Sequence, residues 1–453
     1  MTQPGLVPAY RFPDGFAWGV AAASAQIEGA AGEGGKGESI WDRFAASPGH
    51  VRNGDTPAVA CDHYHRSEAD ADLIRDLGVE HYRLSVAWPR VIPDGSGAIN
   101  PVGLDFYDRL IDALLARGIT PWVTLFHWDL PQALEDQGGW TARGTVDAFR
   151  GYAEAVVGRL GDRVGRWFTV NEIPCFIGNG YGNGSFAPGR REPARVLNQA
   201  YHHAILAHGH AVAVVRERGR AGSVVGLVQN HLPAPPIPIA ETEADIAAAR
   251  LDYERTNGPL MGPVFRGEYP ARFLEGADAP VVQPGDLDLI ARPTDFLGLN
   301  LYSGDFVRAG GDGRPERLPF PRQYPRGDLP WINATPEVMY WGIRLAAEVF
   351  GVKTFYMTEN GAAFDDSVTP GGEILDLDRR EYLRNHLISV HRALSEGFDV
   401  RGYFLWSLLD NFEWAEGYAK RFGIVRVDYP TQRRTPKLSA RWYSQVVREN
   451  RLV

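Results

Sequence analysis

The chain has almost no cysteine, since Cys61 and Cys175 are the only two among 453 residues. Two thiols cannot build the disulfide framework of a small secreted domain, and such scarcity is typical of a reducing compartment. The first ten residues carry neither a cationic start nor a long apolar stretch, so they do not resemble a secretory signal. We therefore expect a cytoplasmic protein.

Long apolar runs and clustered basic residues are also missing. No stretch reaches the roughly 18 apolar residues needed to span a bilayer, so we expect no membrane partner. The formal net charge is −9, from 47 basic and 56 acidic residues. Because phosphate backbones are bound by clustered Lys and Arg, this balance argues against a nucleic-acid ligand. The sequence leaves open whether the chain forms a homo-oligomer.

Aromatic side chains, in contrast, are plentiful, with 12 Trp, 18 Tyr and 21 Phe. An apolar content of 44% is enough to bury a sizeable core, and most of these rings should lie in it. Aromatic faces also stack on the apolar faces of sugar rings. The composition therefore permits a carbohydrate site.

Eight short apolar runs predict buried strands, and eight helical patterns alternate with them. Eight strand–helix units in order predict a single (β/α)8 TIM barrel over residues 1–453. A doubly wound sheet is the alternative, but no Gly-x-Gly-x-x-Gly turn follows the first strand. The predicted strands are 16–24, 81–88, 120–127, 166–172, 223–230, 296–302, 354–360 and 400–407. The predicted helices are 66–77, 104–118, 145–160, 194–219, 243–256, 336–350, 383–397 and 438–450.

Four predicted loops are long: 25–65, 173–193, 303–335 and 408–437. Each follows the carboxyl end of a strand, which is the face where this barrel carries its site. Long loops in a compact domain are usually functional. The Pro-rich segment 232–239 and the Gly-rich segment 308–314 are predicted to be surface connections.

Two glutamates end apolar, β-branched runs: Glu172 closes Phe-Thr-Val-Asn-Glu, and Glu359 lies in Phe-Tyr-Met-Thr-Glu-Asn-Gly. In a barrel, both would face one opening despite their distance in the chain. Glycoside hydrolysis uses two such carboxyl groups, one to protonate the leaving oxygen and one to attack or to activate water. The pair therefore indicates acid/base or nucleophilic chemistry on one substrate.

With these motifs and seven others, the chain resembles the family 1 glycoside hydrolases of the β-glucosidase type. The other matching segments are residues 12–19, 26–29, 61–65, 82–85, 126–131, 298–302 and 406–414. The resemblance implies that Glu172 is the acid/base and Glu359 the nucleophile, with Arg83 and Tyr302 beside the nucleophile. Asn171 would reach the 2-hydroxyl of the sugar. From this resemblance we expect retention of configuration, and retaining enzymes hold the two carboxyls about 5–5.5 Å apart.

The resemblance also implies a binding site for the non-reducing sugar, with Trp406 as its stacking platform and Trp331 on the aglycone side. It implies no metal and no cofactor. The expected substrates are unphosphorylated oligosaccharides such as cellobiose, and aryl or alkyl glucosides. Such substrates would place the protein in carbohydrate metabolism and polysaccharide degradation. A side activity on β-galactosides or β-fucosides is possible by the same resemblance. The sugar-binding residues implied are Gln26, His127, Trp128, Asn171, Asn300, Trp406, Glu413 and Trp414.

One position departs from the family pattern, because Ile173 stands where the family usually has proline after the acid/base. This puts aglycone preference in doubt. Arg83 could instead form a structural ion pair. The alternative for His127 and for the tryptophans Trp331, Trp406 and Trp414 is packing in the core. Histidine-rich segments at 62–65 and 202–210 invite a metal hypothesis, but their ligands do not converge in the pattern. A catalytically silent carbohydrate-binding homologue and an enzyme that mainly performs transglycosylation are the functional alternatives.

Overall fold

A computed structural model describes residues 10–453. The N-terminal ten residues, for which the sequence predicts no secretory signal, therefore lie almost entirely outside the described residues. Eight parallel strands form a closed barrel in which each strand pairs with its neighbours in chain order and the last pairs with the first. This confirms the predicted (β/α)8 barrel. The strands are β1 (Ala17–Ala21), β2 (His81–Ser85), β3 (Thr120–Phe126), β4 (Arg166–Asn171), β5 (Val224–Gln229), β6 (Phe296–Asn300), β7 (Thr354–Asn360) and β8 (Asp399–Trp406).

The lower part of the barrel interior is filled by aromatic rings. Trp122 stacks on Phe168 at 5.6 Å between ring centroids and meets Phe404 edge-on at 5.1 Å. Two glycines make room for these rings, because a Cβ at Gly19 would lie 2.3 Å from the ring of Phe404, and one at Gly226 would lie 2.3 Å from that of Phe296. The packed aromatic layer closes the barrel, so a ligand can enter only from the carboxyl ends of the strands.

One long helix follows each strand: α1 (His63–Asp76), α2 (Pro101–Ala116), α3 (Gly144–Leu160), α4 (Ala194–Arg218), α5 (Glu243–Arg266), α6 (Val338–Phe350), α7 (Leu377–Ser395) and α8 (Leu438–Glu449). The predicted end of α5 at 256 is wrong. The helix continues through Pro259 and Pro263 because Met261 and Val264 keep it packed on the core. Shorter α-helices cover Ser24–Ile27, Ile40–Ala46, Trp88–Val91, Gln132–Glu135, Ala271–Leu274 and Asp286–Ile290.

The long loops contain structure of their own. A π-helix spans Pro174–Asn183, and 3-10 turns span Arg52–Gly54, Gly139–Thr141 and Trp414–Glu416. The prediction of a surface connection at 232–239 is partly wrong, because Ile237 is buried in a strand that pairs with residues 305–307. The additional strands are Pro236–Pro238, Asp305–Ala309, Pro315–Arg317, Val425–Asp428 and Arg433–Pro436.

Within residues 10–453, no helix is both long enough and apolar enough to cross a membrane.

A cluster of charges, buried except for part of Arg421, ties the loop after β8 to two helices. Arg379 of α7 donates both terminal nitrogens to the Asp366 carboxylate, at 2.7 and 2.8 Å. Lys437, which precedes α8, donates to Asp366 and, at 2.7 Å, to Asp410. Arg421 donates to the other oxygen of Asp410 at 2.6 Å. Because Asp410 and Arg421 belong to the loop after β8, the cluster holds that loop against α7 and the start of α8.

Replacing Lys437 by methionine is expected to lower the free energy of unfolding by about 3–5 kcal/mol, because it removes one partner of a buried ion pair and leaves two buried carboxylates short of a cation. Urea denaturation measures this loss. The matched control is Lys353→Met, since Lys353 is exposed and its change should stay within about 0.5 kcal/mol. Equal stability of the two variants would contradict the assigned role of the cluster.

Candidate active site

Glu359 lies at the carboxyl end of β7 with both carboxylate oxygens occupied. Arg83 of β2 donates from Nη1 to Oε1 at 2.5 Å, and the Tyr302 hydroxyl donates to Oε2 at 2.7 Å. The Arg83 side chain is itself buried and lies over the ring of Phe168. A fixed positive charge and a phenol donor both stabilise a carboxylate. The structure thus brings Arg83 and Tyr302 to Glu359, as the sequence predicts.

Glu172 directly follows β4 and is also buried. Its φ of 51° lies in the left-handed region, which is uncommon for a non-glycine residue and is found at functional sites. Burial, and then the negative charge of Glu359, raise the pKa of Glu172 to about 8, although hydrogen bonds from Asn300 and Cys175 act in the opposite direction. At neutral pH this carboxyl group therefore carries a proton that it can donate.

A chain of hydrogen bonds joins the two glutamates. The Asn171 Oδ1 accepts from Arg83 Nη2 at 2.6 Å and from Asn300 Nδ2 at 3.1 Å. Asn300 Nδ2 also donates to Glu172 Oε1 at 2.6 Å. The Thr358 hydroxyl donates to Asn300 Oδ1 at 2.6 Å, which orients the amide so that its NH2 group faces the carboxyl. Two groups far apart in the chain are therefore held in one rigid frame.

Both glutamates line one cavity of about 450 Å³ whose walls are largely aromatic. The rings of His127 and Trp406 are nearly parallel at 5.8 Å, and those of Trp128 and Trp414 approach to 4.6 Å. The Trp128 indole nitrogen donates to the Asn171 carbonyl at 2.9 Å. Flat faces of this kind match the apolar face of a sugar ring.

One carboxylate oxygen at the cavity lacks a protein partner. Within residues 10–453, Glu413 Oε2 is buried and has no hydrogen-bond partner. Buried polar atoms are normally paired, so this is a group that a hydroxyl of a polyol would satisfy. Gln26 Oε1 is also buried without a partner, but Gln26 is not among the described residues that line the cavity. Burial, followed by the charges of Glu359 and Glu172, raises the pKa of Glu413 to about 8. Burial also lowers the pKa of His127 well below its usual value, so its ring is neutral.

Trp331 lies at the outer end of the same cavity, with about half of its surface exposed. Its ring meets Tyr302 edge-on at 5.6 Å. Leu232 and Leu329 line the cavity beside it. The mouth is therefore apolar, whereas the inner end is polar.

The described residues that line the cavity include others that the sequence analysis does not assign, among them Cys175, Phe186, Asn230 and Phe422. Cys175 forms a hydrogen bond with Glu172 and accepts one from Asn230 Nδ2 at 3.1 Å. Asn230 directly follows β5. Its position at the carboxyl end of a barrel strand, the same signal that identifies Glu172, could have indicated it from the sequence. The three others lie on loops and carry no comparable signal.

Ile173 is fully buried and starts the long loop after β4. It has α-helical dihedrals (φ −49°, ψ −41°) although it precedes Pro174, and residues before proline avoid that region. The departure from the family pattern therefore falls on a backbone segment next to Glu172 that is already conformationally restricted.

The histidine-rich segments do not form a metal site within residues 10–453, where no group of three or more His, Cys, Asp or Glu side chains could hold a metal ion. His63 pairs with Asp70 at 2.7 Å, and His202 pairs with Asp286 at 2.9 Å. His208 bonds to the Thr169 hydroxyl at 2.7 Å. These side chains serve packing and helix contacts.

Comparisons with known proteins show the family of the chain. The sequence model of Glycosyl hydrolase family 1 matches residues 9–452. Beta-glucosidase A of Thermotoga maritima is 46% identical over 448 residues, which cover 98% of this chain and 99% of that protein. The Beta-glucosidase of Agrobacterium sp. is 45% identical over 456 residues, covering 98% of this chain and 96% of that protein.

Solved structures show the same similarity. The family 1 b-glucosidase from Thermotoga maritima superposes with a TM-score of 0.91 and 45% identity, covering 99% of this chain and 100% of that one. A complex of the beta-glucosidase from Thermotoga maritima with deoxynojirimycin gives a TM-score of 0.90, also at 45% identity, and covers 98% and 100%.

Proposed function

The chain belongs to glycosyl hydrolase family 1, and from that premise we propose that it is a retaining β-glucosidase that removes terminal, non-reducing β-D-glucosyl residues. The observation that carries the proposal is the division of labour between two glutamates at one cavity. Burial and the charge of Glu359 raise the pKa of Glu172 and so favour its protonated form, whereas the Glu359 carboxylate accepts hydrogen bonds from a guanidinium and a phenol. These are the states that an acid and a nucleophile require.

In the first step, a carboxylate oxygen of Glu359 attacks C1 of the sugar while the bond from C1 to the leaving oxygen breaks. Glu172 gives its proton to that oxygen, so the aglycone leaves as a neutral alcohol. The product is a glycosyl ester of Glu359 with inverted configuration. We assign to Asn171, which accepts hydrogen bonds from Arg83 and Asn300, the binding of the 2-hydroxyl, where hydrogen bonds strengthen in the transition state.

In the second step, the ester has removed the negative charge of Glu359, and with it one cause of the raised pKa of Glu172. Ionised Glu172 takes a proton from water, and the water oxygen attacks C1. The bond from C1 to Glu359 breaks and returns the electron pair to the carboxylate. Two inversions give net retention.

The lining of the cavity supports unphosphorylated substrates. Among its described lining residues are four glutamates and no Lys or Arg, so a phosphate group would find no cationic partner there. The apolar mouth at Trp331 and Leu329 suits aryl and alkyl aglycones, and the cavity also admits a second sugar such as that of cellobiose. The proposal includes a single catalytic domain, a cytoplasmic location and a role in polysaccharide degradation.

A panel of 4-nitrophenyl β-glycosides tests the proposal. We expect the highest kcat/KM for the glucoside, lower values for the galactoside and fucoside, and roughly 10²–10³-fold less for the 6-phosphoglucoside, because charge repulsion of a few kcal/mol has that size. Proton NMR should show the β-anomer of glucose before mutarotation. An α-anomer formed first, or folded protein without turnover on any glycoside, would exclude a retaining β-glucosidase. Product analysis at high acceptor concentration shows whether transglycosylation dominates.

A further inference from the structure

The strand that carries Glu359 loses its regular pairing at the point where Glu359 lies. Its register with β6 shifts between Met357 and Glu359, and its register with β8 shifts between Met357 and Asn360. Regular ladder pairing is what normally fixes the direction of side chains along a strand. Near Glu359, some other interaction must supply that constraint.

The side chain of Asn360 connects all three strands at this irregularity. Its Nδ2 donates to the Leu301 carbonyl, just beyond β6, at 2.7 Å, and its Oδ1 accepts from the Tyr403 hydroxyl of β8, also at 2.7 Å. The Leu301 N–H donates in turn to the Glu359 carbonyl at 3.0 Å. Asn360 and Tyr403 are both fully buried. A single carboxamide therefore links the three strands where their pairing shifts in register.

The same group of side chains reaches Tyr302, the phenol donor to Glu359. Asn360 Nδ2 lies 3.3 Å from the Tyr382 hydroxyl, and that hydroxyl donates to the Tyr302 carbonyl at 2.5 Å. Tyr382 belongs to α7 and stacks on His386 at 3.8 Å. The backbone of Tyr302 and the end of β7 are thus held by one buried network.

We propose that Asn360 is a positioning residue for the nucleophile, and that it acts with Tyr382 and Tyr403 from behind Glu359. None of the three lines the described cavity, so none contacts the substrate. Their role is to hold the Glu359 carboxylate against the hydroxyl of Tyr302 and the guanidinium of Arg83. The inference rests on the proposed function, in which Glu359 attacks C1.

The test uses 2,4-dinitrophenyl 2-deoxy-2-fluoro-β-glucoside, which labels the nucleophile. Its leaving group departs without a proton, so the rate of labelling reports the attack by Glu359 independently of Glu172. Asn360→Ala is expected to lower the labelling rate constant by about 10²-fold per folded site, the size of effect that a misplacement of about 1 Å produces. The milder variants Tyr382→Phe and Tyr403→Phe should give smaller losses in the same direction.

A second readout separates binding from attack. A misplaced carboxylate slows bond formation at C1 but leaves the sugar-binding groups in place, so with 4-nitrophenyl β-glucoside we expect kcat to fall while KM stays close to its wild-type value in all three variants. The control is Asn257→Ala, which removes a buried asparagine bonded to His231 and Tyr253 on α5. It should lower stability without changing kcat or the labelling rate per folded site.

Failure of the inference and failure of the proposed function give different results. If Asn360→Ala and Asn257→Ala lose stability alike while the labelling rate and kcat of the Asn360 variant stay at wild-type values, Asn360 is only structural and the inference is overturned. If the wild-type enzyme is not labelled at Glu359, the proposed function fails instead. A selective loss in the Asn360, Tyr382 and Tyr403 variants supports the inference.

Discussion

Replacing Glu359 by glycine is expected to lower kcat for aryl β-glucosides by roughly 10⁴–10⁶-fold, the scale of loss seen when the nucleophile of a covalent mechanism is removed. The variant loses the atom that forms the bond to C1. It also leaves Arg83 and Tyr302, which both bond to Glu359, without their acceptor. Steady-state kinetics with 4-nitrophenyl β-glucoside measures the loss, and circular dichroism checks that the fold is kept.

The space left by the side chain should admit a small anion beside the Arg83 guanidinium. Azide bound there can attack C1 directly, while Glu172 protonates the leaving oxygen, so the product is expected to be the α-glucosyl azide. Glu359→Gln is the matched control, because its amide fills the space and should show no rescue. A β-glucosyl azide, or equal rescue of both variants, would contradict the assignment of Glu359 as nucleophile.

The barrel was predictable from the sequence because each strand is buried on both faces and reads as a short apolar run. β7, for example, is nearly continuous in apolar and β-branched residues and is predicted with its observed bounds. The strand at Pro236–Pro238 was not predictable in this way. Its two prolines indicate a loop, and only its pairing with residues 305–307 reveals the buried position of Ile237.

The positions of the two glutamates also followed from the sequence, since both end barrel strands. The hydrogen bonds that connect the two glutamates could not be predicted from the sequence. They run from Arg83 through Asn171 and Asn300 to Glu172, and so they join strands β2, β4 and β6, which lie far apart in the chain. Burial, the first cause of the raised pKa of Glu172, is likewise a property of the folded barrel. The same holds for Glu413, where burial and then the charges of Glu359 and Glu172 raise the pKa.

Glu172→Gln is expected to lower kcat/KM by about 10²–10⁴-fold for substrates with poor leaving groups such as cellobiose, because general-acid assistance contributes that much. For 2,4-dinitrophenyl β-glucoside, whose leaving group needs no proton, kcat/KM should change little. The comparison of the two substrates in one variant serves as the internal control. Equal losses on both would indicate a general disturbance of the site instead of the removal of an acid.

The dependence on pH tests the same residue in the wild-type enzyme. The first step needs protonated Glu172, and burial together with Glu359 raises its pKa to about 8. Activity measured as kcat/KM should therefore be full below this value and fall as the pH rises through it, because kcat/KM reports the free enzyme. In Glu172→Gln, measured with the dinitrophenyl substrate, the basic limb should disappear, since glutamine does not titrate. A limb that persists near pH 8 in this variant would mean that another group, such as Glu413, sets it.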